Sequence, residues 1–293
     1  MGTSINSGLL AFRLDRDSPN PRTTPVTTLE QPTLTILPVA GKIGAEVHGL
    51  DVSALTDAEF DAVRDALYRY GVLFFPGQGL DPATHRAFAQ RFGEVVYPHE
   101  HLANLGDAGY REISVIGTEN GSAYQADRWH CDVSWRDTPS RFSVLHMQIL
   151  PEVGGDTMWS NQYAALDAVS APLREFLYGL TATHRIHPTA EHVQARHPLV
   201  IRHPVTGAEA LFVNDLFTHH IDGLTAEESA ALLGLLKTVS IRPEFTVRRR
   251  WQVGDIAVWD NHFVQHNAIY DYGADARRIH RIEVGPEAPV PAR

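Results

Sequence analysis

The chain has a single cysteine, Cys131, among 293 residues, so no intrachain disulfide can staple it, and a reducing compartment fits that usage. No apolar run approaches the roughly 20 residues of a membrane-spanning helix. Neither a secretory hydrophobic segment nor a lipidation signal stands at the start of the sequence, which makes a cytoplasmic location the expectation. Positive charge is scarce as well: 25 Lys and Arg stand against 35 Asp and Glu, a formal charge of −10. That balance has the wrong sign for a nucleic-acid surface or an anionic membrane, so an anionic ligand would need a local cationic pocket. Internal repeats and low-complexity tracts are also absent.

What is present suffices for a sizeable core, with 43% apolar residues. Residues 1–31 are polar, rich in Thr and Pro, and lack apolar periodicity; they are expected to form a disordered arm ahead of one domain over 32–293. Leu34-Thr35-Ile36-Leu37 reads as a strand, and Ile43 and Val47 among turn glycines suggest an antiparallel partner. Thr56-Asp57-Ala58-Glu59 is a capping-box start for a helix reaching Gly71, followed by the buried strand Val72-Leu73-Phe74-Phe75. Asp81-Pro82 opens a second helix expected to stop at Gly93, and the stretch from Glu94 to Gly121 reads as an irregular functional loop. Further strands are expected over 142–150, 256–259 and 278–284, with helices around 161–180 and 225–239. The architecture implied is a β core with flanking helices.

Chemistry concentrates in Trp129-His130-Cys131-Asp132-Val133-Ser134-Trp135. Read as an extended run, it projects His130 and Asp132 from one face, where both could meet one metal. A second His from far along the chain would complete a His₂-carboxylate set with open positions for a co-substrate and oxygen. Trp259-Asp260-Asn261-His262-Phe263-Val264-Gln265-His266 supplies two candidates. The plain alternative is a buried His bonded to a neighbouring carboxylate. Another His-x-Asp pair, His220 and Asp222, lies just before a helix cap at Thr225 and lacks comparable surroundings. Arg277, Arg278 and Arg281 follow; on a strand Arg277 and Arg281 share a face that Arg278 does not, unless the run is only a surface ladder.

These motifs, with Gly154-Gly155-Asp156-Thr157-Met158-Trp159, Phe212-Val213-Asn214 after His203-Pro204, and Trp251 before Gly254-Asp255, resemble the TauD/TfdA group of Fe(II)- and 2-oxoglutarate-dependent dioxygenases over roughly residues 32–289. The resemblance implies a double-stranded β-helix, or jelly roll. It also implies Fe(II), 2-oxoglutarate and O₂, and hydroxylation or oxidative cleavage of a small anionic substrate with release of succinate and CO₂. By this likeness His130, Asp132 and His266 are iron ligands and His262 a neighbour. Thr157 and Arg277 hold the distal carboxylate of 2-oxoglutarate, and Arg281 and Tyr97 meet the substrate. Glu94 stands where taurine enzymes place a sulfonate-binding His, and Ala126 replaces an Asn; a carboxylate there would repel a sulfonate unless Glu94 turns away. A zinc hydrolase and a non-catalytic 2-oxoglutarate-binding module are the competing readings. A homo-oligomer without nucleic-acid or membrane partners is expected.

Overall fold

The computed structural model describes residues 34–99, 102–118, 127–186 and 193–293; the expected arm and Ala126 lie outside the described residues. β1 (Thr35–Pro38) pairs antiparallel with β2 (Ala45–His48). Helix α1 (Asp57–Tyr70) starts where both halves of the capping box close: Glu59 N–H donates to the Thr56 hydroxyl and Thr56 N–H to the Glu59 carboxylate. It ends at Gly71, whose φ of 73° suits glycine alone at low cost, and β3 (Val72–Phe75) follows. α2 (Pro82–Gln90), capped by Asp81, stops short of Gly93. Gly93 serves another purpose, because a Cβ there would lie 2.9 Å from Gly285 Cα.

The stretch after Gly93 is not the irregular loop that its composition suggests. It holds β4 (Val95–Val96), β5 (Asn104–Leu105) and the longer β6 (Tyr110–Gly117). β6 escapes an apolar pattern because its buried Glu112 pairs with Arg86 of α2 instead of packing as a hydrophobe. Next come β7 (Ser140–Ile149), β8 (Thr157–Asn161), α3 (Gln162–Asp167) and α4 (Ala171–Leu177). β9 (Thr181–Arg185), β10 (Gln194–Pro198), β11 (Val200–Arg202), β12 (Glu209–Leu211) and β13 (Thr218–Ile221) lead to α5 (Ala226–Ser240). β14 (Thr246–Arg249), β15 (Ile256–Asp260), β16 (Val264–Ala268) and β17 (Arg278–Pro286) complete the described elements.

Two sheets face each other. The larger runs β1-β2-β3-β15-β7-β17-β6-β5, with β4 also on β17, and the smaller runs β14-β8-β16. Between them lie Phe74, Leu145, Met147, Trp259 and Ile279 from the larger sheet and Trp159 and Val264 from the smaller. The Trp159 ring stands 5.8 Å from that of Trp259 and 5.9 Å from that of Trp251, an edge-on cluster at the centre of the molecule. The opposite face of the larger sheet, with Leu73, Phe75, Val144, Val258 and Ile282, packs on Val63 and Leu67 of α1 and Phe88 of α2. Its central strands are therefore buried on both faces, which is why β3 reads as an unbroken apolar run. α3, α4 and α5 share a separate apolar cluster with β9, β12 and β13. The result is the mainly-β jelly roll with outer helices that the motifs implied. No described helix is long and apolar enough to cross a membrane.

Candidate metal and co-substrate site

His130 and Asp132 do not lie on a continuous strand. His130 makes an isolated β-bridge to His266, its N–H donating to His266 O at 3.0 Å and its carbonyl accepting from His266 N–H at 2.8 Å. Asp132 already belongs to a turn, and Val133 within it has φ 44°, an unfavourable backbone for a β-branched residue. The turn, not strand alternation, brings the carboxylate round to the imidazoles. It is fastened from behind, where Ser134 Oγ accepts from Asn214 Nδ2 at 3.0 Å and lies 3.0 Å from His184 Nδ1, while His197 Nε2 sits 2.9 Å from Ser134 O.

Asp132 Oδ1 lies 3.8 Å from His130 Nε2 and 3.7 Å from His266 Nε2. Among the described residues these three make the one group of His, Cys, Asp or Glu whose donor atoms converge, all within 4.8 Å of one another. All three are buried. Burial holds both imidazoles below the ordinary histidine range, so they stay neutral with a lone pair to offer. Burial alone would raise Asp132, but the Arg281 guanidinium above all, with the Ser143 hydroxyl, outweighs it and keeps the carboxyl ionised. His130 Nδ1 sits 2.7 Å from Arg128 O, which fixes the proton on Nδ1 and turns Nε2 inward. Ser143 Oγ donates to Asp132 Oδ2 at 2.7 Å and accepts from Asn261 Nδ2 at 2.8 Å. Asn261 Oδ1 in turn accepts from Asp132 N–H and from Trp259 Nε1. Two neutral imidazoles and an ionised, braced carboxylate suit a first-row divalent metal such as iron.

Beside this group runs the interior face of β17, carrying Arg277, Ile279, Arg281 and Glu283, all buried. Arg277, just ahead of the strand, donates from Nε to Gly155 O at 2.9 Å and from a terminal nitrogen to Thr157 Oγ1 at 3.4 Å. Trp251 Nε1 also donates to Thr157 Oγ1, at 3.0 Å. No carboxylate of the described residues forms an ion pair with Arg277; the nearby Asp156 and Asp271 go to Arg248. Gly155 has φ 75°, and a Cβ on it would meet Arg277 Cδ at 3.1 Å. A buried guanidinium with no carboxylate partner among the described residues, next to space kept by a glycine, fits the distal carboxylate of a dicarboxylic acid.

Arg281 is enclosed between two acids, donating to Asp132 Oδ1 and standing 3.6 Å from Glu283 Oε2. Glu94 and Tyr97 are not brought to the centre. Glu94 is exposed, and Tyr97, 58% exposed, lines an outer hollow of about 400 Å³ with Arg86 and Arg111. They flank β4, which pairs with β17 and buries Val96 while Val95 packs partly against the core. Glu94 thus turns toward solvent. His262 is buried near Phe212 and Phe263 and stays outside the converging group. His220 bonds at 3.2 Å to Asp222, which caps Thr181 and Thr183 hydroxyls on β9. Ser143 carried no signal of a site role in the sequence, whereas Ser134, Asn214 and Asn261 sit inside motifs already singled out.

The family described as "Taurine catabolism dioxygenase TauD, TfdA family" matches residues 35–282. The chain belongs to that family. It is similar to the "Alpha-ketoglutarate-dependent sulfate ester dioxygenase" of Pseudomonas putida, 34% identical across 88% of this chain and 91% of that protein. It also resembles the "Alkylsulfatase" of Acinetobacter baylyi, 32% identical over 91% of this chain and 90% of that one. Among solved structures, a putative alpha-ketoglutarate-dependent taurine dioxygenase from Burkholderia xenovorans superposes with a TM-score of 0.80 at 37% identity, covering 88% of this chain and 92% of that one. The protein is a 2-oxoglutarate-dependent dioxygenase, with Fe(II), 2-oxoglutarate and O₂ as its cofactor and co-substrates. A zinc hydrolase and a non-catalytic binding module do not accord with these relatives.

Proposed function

We propose that the protein oxidises organic monoanions of the sulfate-ester or sulfonate type, with alkyl sulfates as the favoured class. The observation that carries the reading is the placement of two buried arginines, Arg277 and Arg281, along one strand face beside the His130, Asp132 and His266 group. The names of the similar proteins supply the anion chemistry. In this reading His130, Asp132 and His266 hold Fe(II), which with 2-oxoglutarate supplies the oxidising equivalent from O₂ as 2-oxoglutarate leaves as succinate and CO₂.

The chain's own residues bind, orient and exclude water. Arg277 and Thr157 grip the far carboxylate, fixing the co-substrate against rotation; Gly155 keeps the guanidinium's space clear. Arg281 takes the substrate anion and so sets which carbon lies nearest the metal. Insertion of one oxygen atom into the C–H bond next to a sulfate ester gives a hydroxylated ester, which collapses to an aldehyde and hydrogensulfate. The proton of the new hydroxyl leaves with the sulfate, and no further oxidant is needed. A cytoplasmic homo-oligomer completes the proposal, testable by light scattering.

The test is direct. Anaerobic protein with Fe(II) and 2-oxoglutarate should develop the weak visible charge-transfer band typical of the family. Air with hexyl sulfate should then release succinate and sulfate in equal amounts. Iron binding without the band would remove the metal assignment; succinate release stimulated by carboxylic acids but by no sulfate or sulfonate would remove the substrate class.

A further inference from the structure

Glu283 is buried to 2% exposure on the same face of β17 as Arg281, opposite Ser143 in the ladder to β7. None of the duties already described needs its charge. The Ser143 hydroxyl is committed to Asp132 and Asn261, and the strand pairing uses backbone only. Glu283 Oε1 has no hydrogen-bond partner among the described residues, and Oε2 stands 3.6 Å from Arg281, too long for a firm hydrogen bond. A buried carboxyl left half-satisfied is costly, which fits a residue kept for function. Its charge acts chiefly on Arg281, and more weakly on Arg136. Arg281 is shared by two acids, Asp132 and Glu283, so its field toward a third anion is much reduced.

We infer that Glu283 is a specificity residue that tempers Arg281, so that the pocket accepts singly charged sulfate esters or sulfonates and rejects doubly charged phosphate monoesters. The inference rests on the substrate class proposed above. Sulfate and phosphate monoesters have nearly the same shape, and a pocket of neutral hydrogen bonds could not separate them by much. They differ by one negative charge near pH 8. A fixed carboxyl beside the anion site acts on that difference, repelling the dianion more than the monoanion. Arg281 supplies attraction common to both, whereas Glu283 supplies the discrimination.

The experiment compares binding of hexyl sulfate and hexyl phosphate to the Mn(II)- and 2-oxoglutarate-loaded protein at pH 8 by calorimetry. In the unaltered protein sulfate should bind at least tenfold more tightly. Glu283→Gln, and as an uncharged second variant Glu283→Met, should narrow that ratio about tenfold, mainly by admitting phosphate. Unchanged 2-oxoglutarate affinity in both variants shows that the site remains assembled. A ratio that does not move in either variant overturns the inference while leaving the substrate class intact. Failure of hexyl sulfate to bind the unaltered protein overturns the substrate class, and the inference with it. A variant that loses 2-oxoglutarate affinity as well marks Glu283 as structural and equally overturns it.

Discussion

Replacing Arg277 with methionine should destroy the grip on 2-oxoglutarate yet leave the ligand-free protein as stable as before, or more so. The guanidinium is buried to 3% exposure, and its described hydrogen bonds go to Gly155 O and Thr157 Oγ1. Two such bonds from a cation contribute about 1.5–3 kcal/mol each. Against them stands the cost of removing a cation from water, several kcal/mol when no carboxylate compensates. Burial accordingly lowers the Arg277 pKa from its usual value, with Tyr272 offsetting part of that effect. Methionine fills the volume of the stem and needs no partner. On binding, two charge-assisted bonds to a carboxylate contribute about 1.5–3 kcal/mol each, so their loss weakens 2-oxoglutarate by at least roughly 100-fold. The assay pairs calorimetric titration of the Mn(II) protein with 2-oxoglutarate and thermal unfolding without ligands. A fall in Tm of more than about 5 °C with 2-oxoglutarate affinity preserved would make Arg277 a structural residue and refute the argument.

Ser143→Ala removes the donor to Asp132 and the acceptor for Asn261, and should weaken Mn(II) binding about 10–100-fold; an unchanged titration would show that Asp132 needs no brace. Acid should destabilise the protein through the histidines under α2. Burial takes His85 down to about 3 and His146 down to about 4, and their rings stand 5.7 Å apart with His280 opposite His146 in the ladder. The unfolded chain therefore binds these protons first: stability is complete above about pH 6.5 and is lost as pH falls toward 4. His146→Gln should flatten the decline of Tm between pH 6.5 and 4, and an equally steep decline would clear this cluster of the effect. Tyr97→Ala and Glu94→Gln, on exposed side chains, should leave turnover within about twofold of the parent; a large loss in either would place the β4 segment over the substrate.

Much of the architecture was legible because its central strands are apolar on both faces and its main helices carry explicit caps. β3, β7 and β15 needed no tertiary knowledge, and Thr56 and Glu59 announced α1 by themselves. β6 was not legible, because its buried Glu112 is neutralised by Arg86 on a helix reached only in three dimensions. The site divides in the same way. His130, Asp132, His266, Thr157 and Arg277 stood out as residue types in ordered motifs, yet the means of bringing them together did not. Strand alternation was the wrong device for His130 and Asp132, since a turn with a strained Val133 does that work. Such a backbone persists only when its surroundings over-determine it, and Ser134, tied to Asn214 and set against His184, is that constraint. For Arg277 and Arg281 alternation was the right device. The same parity that brings them inside also carries Glu283 there, where period-two spacing sets the reach of a substrate's charge as firmly as it sets the core.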